Sequence, residues 1–161
     1  MNINKFFLVA IFFSIFIFSA CSSETFTGSG NIITENREVS DFEHVILSSV
    51  GDLIIIQGDE ESLSLSTDDN IISHVRTEVE NNTLILGFDA QAEEMGYKPT
   101  DGIKFRLVVK DLNRVDFLGA GDIVIREFET EELLVNTSGS GNIEISSLRA
   151  DNLVVHQSDS K

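Results

Sequence analysis

The chain has 161 residues, the length of a single domain, and sets 27 Asp and Glu against 11 Lys and Arg for a formal net charge of −16. So acidic a surface favours solubility and argues against nucleic acid and anionic lipid headgroups, whose phosphates it repels. A lone cysteine leaves no internal disulfide framework.

Residues 1–20 do not read as fold. After Lys5, residues 6–20 carry no charge and include six Phe and three Ile. That run is too short to span a bilayer and fits the apolar region of a secretory leader. It ends Phe18-Ser19-Ala20-Cys21-Ser22-Ser23, which resembles the lipobox of bacterial lipoproteins, with Phe18 where Leu is usual. The resemblance implies cleavage before Cys21 and lipidation of its thiol. Each buried methylene of an acyl chain contributes about 0.8 kcal/mol, so several chains hold a protein at a membrane. The expected layout is a leader over 1–20, a lipidated tether over 21–26 and one domain over 27–161.

The domain repeats one phrase. It reads Gly28-Ser29-Gly30-Asn31-Ile32, then Ser49-Val50-Gly51-Asp52-Leu53, then Gly119-Ala120-Gly121-Asp122-Ile123, and last Gly139-Ser140-Gly141-Asn142-Ile143. Each copy predicts a corner followed by a strand, with Ile32, Leu53, Ile123 and Ile143 facing inward. Glycine enters positive φ without steric cost, and Asn or Asp tolerates it better than most residues. Asn31 and Asn142 stand where Asp52 and Asp122 do, and an amide cannot act as a general acid or base. The corner residues are therefore expected to be structural.

Between the second and third copies the period breaks. Residues 62–66 alternate as a strand, and Asp69-Asn70 is expected to cap one helical turn through Ile72. Residues 76–80 and 83–88 flank Asn81-Asn82 as an antiparallel hairpin. Residues 89–102 predict an exposed acidic loop holding the only tyrosine, Tyr97, and the only proline, Pro99. A strand returns over 103–110.

In the C-terminal part a shift of 20 residues aligns Val115, Val135 and Val155, and also Ile123 with Ile143, Ile125 with Ile145, Phe128 with Leu148 and Leu133 with Leu153. Laps stacked about 4.8 Å apart would set these side chains in vertical files. The expected fold is all-β, a parallel β-solenoid with rungs of about 20 residues and a local antiparallel hairpin in the middle. An antiparallel β-sandwich is the alternative.

No chemistry is legible. His44, His74 and His156 show no metal-ligand spacing, and the serines lack a nucleophile-elbow context. The acidic clusters lack calcium-loop spacing. No enzyme activity, metal or cofactor is expected.

The lipobox, the Gly-Ser-Gly-Asn-Ile opening, the 45–53 segment, Gln57-Gly58-Asp59-Glu60 and the later Gly-x-Gly corners together resemble the "putative auto-transporter adhesin, head GIN domain" family. The resemblance runs from Phe26 to the C-terminus. It implies a short right-handed parallel β-helix, and a non-enzymatic surface lipoprotein of the cell envelope acting as an adhesin or binding scaffold. The partners it implies are the membrane, through Cys21, and a glycan or protein ligand. A carbohydrate-active β-helix enzyme and a purely structural envelope protein are the alternatives. Residues 158–161 reach a further corner without a following strand. The expectation is a truncated domain, or self-association through an open last rung.

Overall fold

The computed structural model describes residues 25–158, so the leader and Cys21 lie outside the described residues. The elements are β1 (Phe26–Thr27), β2 (Ile32–Arg37), β3 (His44–Leu47), β4 (Asp52–Gln57), β5 (Ser62–Asp68), a 3-10 turn (Ile72–His74), β6 (Val75–Glu80) and β7 (Thr83–Phe88). They continue with α1 (Ala90–Met95), β8 (Tyr97–Lys98), β9 (Lys104–Val109), β10 (Arg114–Phe117), β11 (Ile123–Thr137) and β12 (Ile143–Gln157). Phe26, placed at the end of the tether by sequence, already belongs to the fold, because β1 pairs with β8.

Ten strands form one mixed sheet in the order β2-β5-β9-β4-β11-β10-β3-β7-β6, with β12 added on β11. The long strand β11 joins two walls. Its residues 123–126 pair with β4, and its residues 134–137 pair with β10. A positive φ of 51° at Glu127 lies between those two stretches, and Ser147 repeats it in β12 with 58°. Alternate residues of both walls point inward into one core, led by Leu53, Ile55, Phe105, Leu107, Val115, Phe117, Phe128 and Val135.

A parallel β-helix is not what forms. The pairs β2/β5, β5/β9 and β6/β7 are antiparallel, and the sheet curls into a nearly closed, barrel-like shape around the shared core. Chain length explains part of this. A parallel neighbour needs a crossover of a dozen or more residues, whereas β6 and β7 are joined by Asn81-Asn82 alone, at φ 49° and 63°. The C-terminal register is present within this mixed sheet: Val115 pairs with Val135 and Val135 with Val155, in parallel. The first copy stands outside that register. Ile32, expected to face inward, is 41% exposed on β2, which runs antiparallel to β5.

The middle segment holds two further departures. Asp69 and Asn70 do not cap the 3-10 turn, whose N-cap is Ile71. The stretch expected as an exposed loop contains α1, capped by the Asp89 carboxylate accepting from the Ala92 N–H at 2.7 Å. It also contains β8, whose half-buried Tyr97 packs on Phe26, Phe88 and His74 with ring centres 5.1–5.3 Å apart. Among the described residues no helix is long and apolar enough to cross a membrane.

Candidate binding face

The corners are built by stacking. Val50 bridges Ala120, and Ala120 bridges Ser140, so the second, third and fourth copies lie above one another. Gly51, Gly121 and Gly141 have φ of 150°, 137° and 144°, a region that L side chains avoid. A Cβ on Gly119 would collide with the Ser49 carbonyl, and one on Gly139 with that of Gly119. Ser49 holds the equivalent place at the start of this stack. The Asp52 carboxylate accepts the Asp122 N–H at 3.0 Å, and the Asp122 carboxylate accepts both the Asn142 N–H and its side-chain amide, each at 3.0 Å. These side chains are committed to holding one lap on the next.

Gly28, Gly30 and Asn31 sit elsewhere, wrapped round Asp68 and Asp69. Asp68 is fully buried and accepts the Gly30 N–H at 2.7 Å and the Thr100 N–H at 2.8 Å. Burial pushes its carboxyl up, but these backbone donors outweigh it and hold the group below the ordinary carboxylate range. Asp69 takes the Ser29 hydroxyl at 2.5 Å and the Asn31 amide at 2.8 Å, which lower its pKa as well. A Cβ on Gly28 would strike the Asp68 carboxylate.

The histidines separate. His44 bridges strands, with Nδ1 3.1 Å from Thr83 Oγ1 and Nε2 2.9 Å from Asp116 Oδ2. Asp116 also accepts from Arg114 Nε at 3.0 Å and Asn136 Nδ2 at 2.6 Å. Burial raises its carboxyl, and the Arg114, Asn136 and His44 contacts overcome this to hold it low. Hydroxyl, imidazole and carboxylate stand in sequence here, yet Asp116 is saturated with donors and the group lies on a sheet face. It is a cross-strand clamp. His74 pairs with Asp89 at 3.1 Å, and His156 is exposed on β12. Among the described residues no group of three or more His, Cys, Asp or Glu is placed to hold a metal ion.

The outward side of the first wall is different. Because Leu53, Ile55, Phe105, Leu107, Ile123 and Ile125 point inward, their neighbours point out. Register sets Arg106 beside Ile54 and Ile54 beside Val124; it sets Val108 beside Ile56 and Ile56 beside Arg126. Ser62, Ser64 and Ser66 of β5 extend the face past β9. The four branched aliphatics are half-buried and the two arginines exposed. Lys104, on the same face, is bound to Asp101 at 2.6 Å. Arg106 and Arg126 make no ion pair among the described residues. Sequence reading passed over both, although the alternation Lys104-x-Arg106-x-Val108 already sets three residues on the face opposite Phe105 and Leu107. Two shallow clefts of about 590 Å³ open elsewhere, an acidic one lined in part by Gln57, Asp111, Glu129 and Arg149 and one of mixed charge lined in part by Arg37, His74, Arg76 and Glu93.

The family described as "Putative auto-transporter adhesin, head GIN domain" matches residues 41–160. Among solved structures, a "putative adhesin" from Bacteroides fragilis is similar at 27% identity and TM-score 0.74, over 81% of this chain and 60% of that one. A "putative lipid binding protein" from Parabacteroides distasonis is similar at 22% identity and TM-score 0.69, over 83% of this chain and 65% of that one. A "putative adhesin" from Parabacteroides merdae follows at 16% identity and TM-score 0.59, over 82% and 61%. The last two likenesses are of fold. The chain thus spans 60–65% of the length of these structures. No curated protein sequence matches it.

Proposed function

We propose, from the premise that this chain belongs to the auto-transporter adhesin head GIN domain family, that it is a lipid-anchored, non-enzymatic binding protein of the cell surface. The observation that carries this reading is the outward face of the first wall. There, Arg106 and Arg126, which make no ion pair among the described residues, flank Ile54, Ile56, Val108 and Val124 on a chain of net charge −16. Arg presents a planar fork that matches carboxylates and stacks on flat surfaces, while branched aliphatics supply contact area. An extended glycan or protein segment bearing carboxylates suits such a face. Anchoring rests on the leader and on Cys21.

The full chain, displayed on cells, should bind acidic glycans or extracellular protein through this face. The R106E/R126E double substitution should abolish that binding without shifting the unfolding midpoint, and undiminished binding would sink the reading. Labelling with a palmitate analogue should mark the wild type and leave a Cys21→Ser chain unlabelled.

A further inference from the structure

The outward face of the first wall continues past its arginines. Pairing sets Ser64 beside Arg106 and Ser66 beside Lys104, and β2 adds Thr34 beside Ser66. Thr34 is exposed and the two serines are half-buried. Among the described residues the side chains of Thr34, Ser64 and Ser66 make no hydrogen bond, and neither do those of Arg106 and Arg126.

These groups fall on one line. Arg106 on β9 pairs with Ile54 on β4, which pairs with Val124 on β11, two residues before Arg126. The two arginines are thus separated by two strand spacings and one two-residue step, about 12 Å between Cα positions. The same slope continued beyond Arg106 passes between Ser64 and Ser66 on β5 and reaches Thr34 on β2. Strand by strand, the track reads guanidinium, aliphatic, guanidinium, hydroxyl, hydroxyl.

That order fits one class of ligand. A pyranose ring advances an extended polysaccharide by about one strand spacing, roughly 4.8 Å, so consecutive rings meet consecutive strands. The reach of the arginine side chains absorbs the slope. Rings over β11 and β9 meet Arg126 and Arg106, whose planar forks match carboxylates. The ring between them rests its C–H face on Ile54 and Ile56, bordered by Asp52 on β4 and by Glu144 beside Val124. A carboxylate on that ring would lose water without gaining a donor and would face two negative charges, so the ring must be uncharged. Rings further on bring hydroxyls to the free hydroxyls of Ser64, Ser66 and Thr34. An acidic peptide would match the arginines but brings no row of hydroxyls to the serines.

Resting on the assignment of binding to this face, we propose that its ligand is an extended polysaccharide carrying a carboxylate on every second sugar, laid across the strands from β11 to β2.

The test measures binding of end-labelled oligosaccharides to the full chain in mild detergent. Hyaluronan hexasaccharide, with carboxylates on alternate rings, is the matched probe. Oligogalacturonate of the same length carries one on every ring, and chitohexaose carries none. Hyaluronan should bind at least about tenfold more tightly than either of these and than a hexaglutamate peptide. R106Q/R126Q should abolish that binding with the unfolding midpoint unchanged. K98Q/R149Q, an equal loss of charge away from the face, should leave it intact. T34A/S64A/S66A should weaken it by about tenfold. Hexaglutamate or oligogalacturonate bound as tightly as hyaluronan, and lost in R106Q/R126Q, would overturn the proposal while leaving this face as the binding surface. Hyaluronan binding undiminished in R106Q/R126Q would overturn both. Failure of every probe to bind, or a T34A/S64A/S66A chain that binds like the wild type, would also defeat the polysaccharide assignment.

Discussion

The carbonyl oxygen of Gly121 occupies the space that a Cβ on Gly141 would need. Successive corners thus approach each other backbone to backbone, and the glycine periodicity records that approach as much as it records turn conformation. Gly141→Ala adds a clash with main chain to a φ of 144°, so it should cost about 2–4 kcal/mol. Gly30→Ala meets nothing within 4 Å at a φ of 83° and should cost about 1 kcal/mol. Urea midpoints at constant slope measure the difference.

Val135 and Val155 are one repeat apart and locally alike, yet the first is buried and the second 57% exposed. Val135→Ala removes two buried methyl groups and should destabilise by about 2 kcal/mol. Val155→Ala should stay within about 0.5 kcal/mol of wild type. Equal losses at the two sites in dilute solution would contradict the burial described.

The Asp68 carboxyl is held low by the Gly30 and Thr100 amides. A depressed folded-state pKa contributes stability that is complete above the ordinary carboxylate value of about 4 and is lost as pH falls through the lower folded value. Unfolding free energy should therefore drop as the solution is acidified below about pH 4. Asp68→Asn should flatten that slope while lowering stability at neutral pH, because an amide offers one acceptor where the carboxylate serves two backbone donors. Urea unfolding between about pH 2 and 7 reads both effects.

Asp116 collects donors from Arg114 on its own strand and from His44 and Asn136 on the strands to either side. Removing the carboxylate leaves those donors without their shared acceptor, at a cost of about 1–3 kcal/mol for Asp116→Ala. His44→Ala removes one donor and leaves Asp116 served by the other two, so it should cost less. Thermal unfolding of the pair ranks them.

Much of the strand inventory could be read from residue order. The alternation around Ile123 and Ile143, repeated at one interval, carries the β11/β12 register, because like side chains in like order can stack without a gap. Asn81-Asn82 between two alternating runs identifies the β6/β7 hairpin through its tolerance of positive φ. By contrast, Gly28-Ser29-Gly30-Asn31 reads locally like the other corners but wraps the Asp68 and Asp69 side chains, some 40 positions away in sequence. No local pattern reports a contact at that distance. The helix α1 was hidden by its brevity and its polar composition, with Ala92 alone buried among its described side chains to mark an inward face.

By itself the sequence determined that the domain is all-β, that Leu53, Ile123 and Ile125 face the core, and how the last two laps align, since each follows from side-chain alternation and its period. Only the tertiary structure decided which neighbours run antiparallel, how the two walls close on one core, and that Arg106 and Arg126 share an outward face. The reason is geometric. An alternating strand reads the same in both directions, so its pattern names the buried face but carries no record of the orientation or identity of the strand beside it.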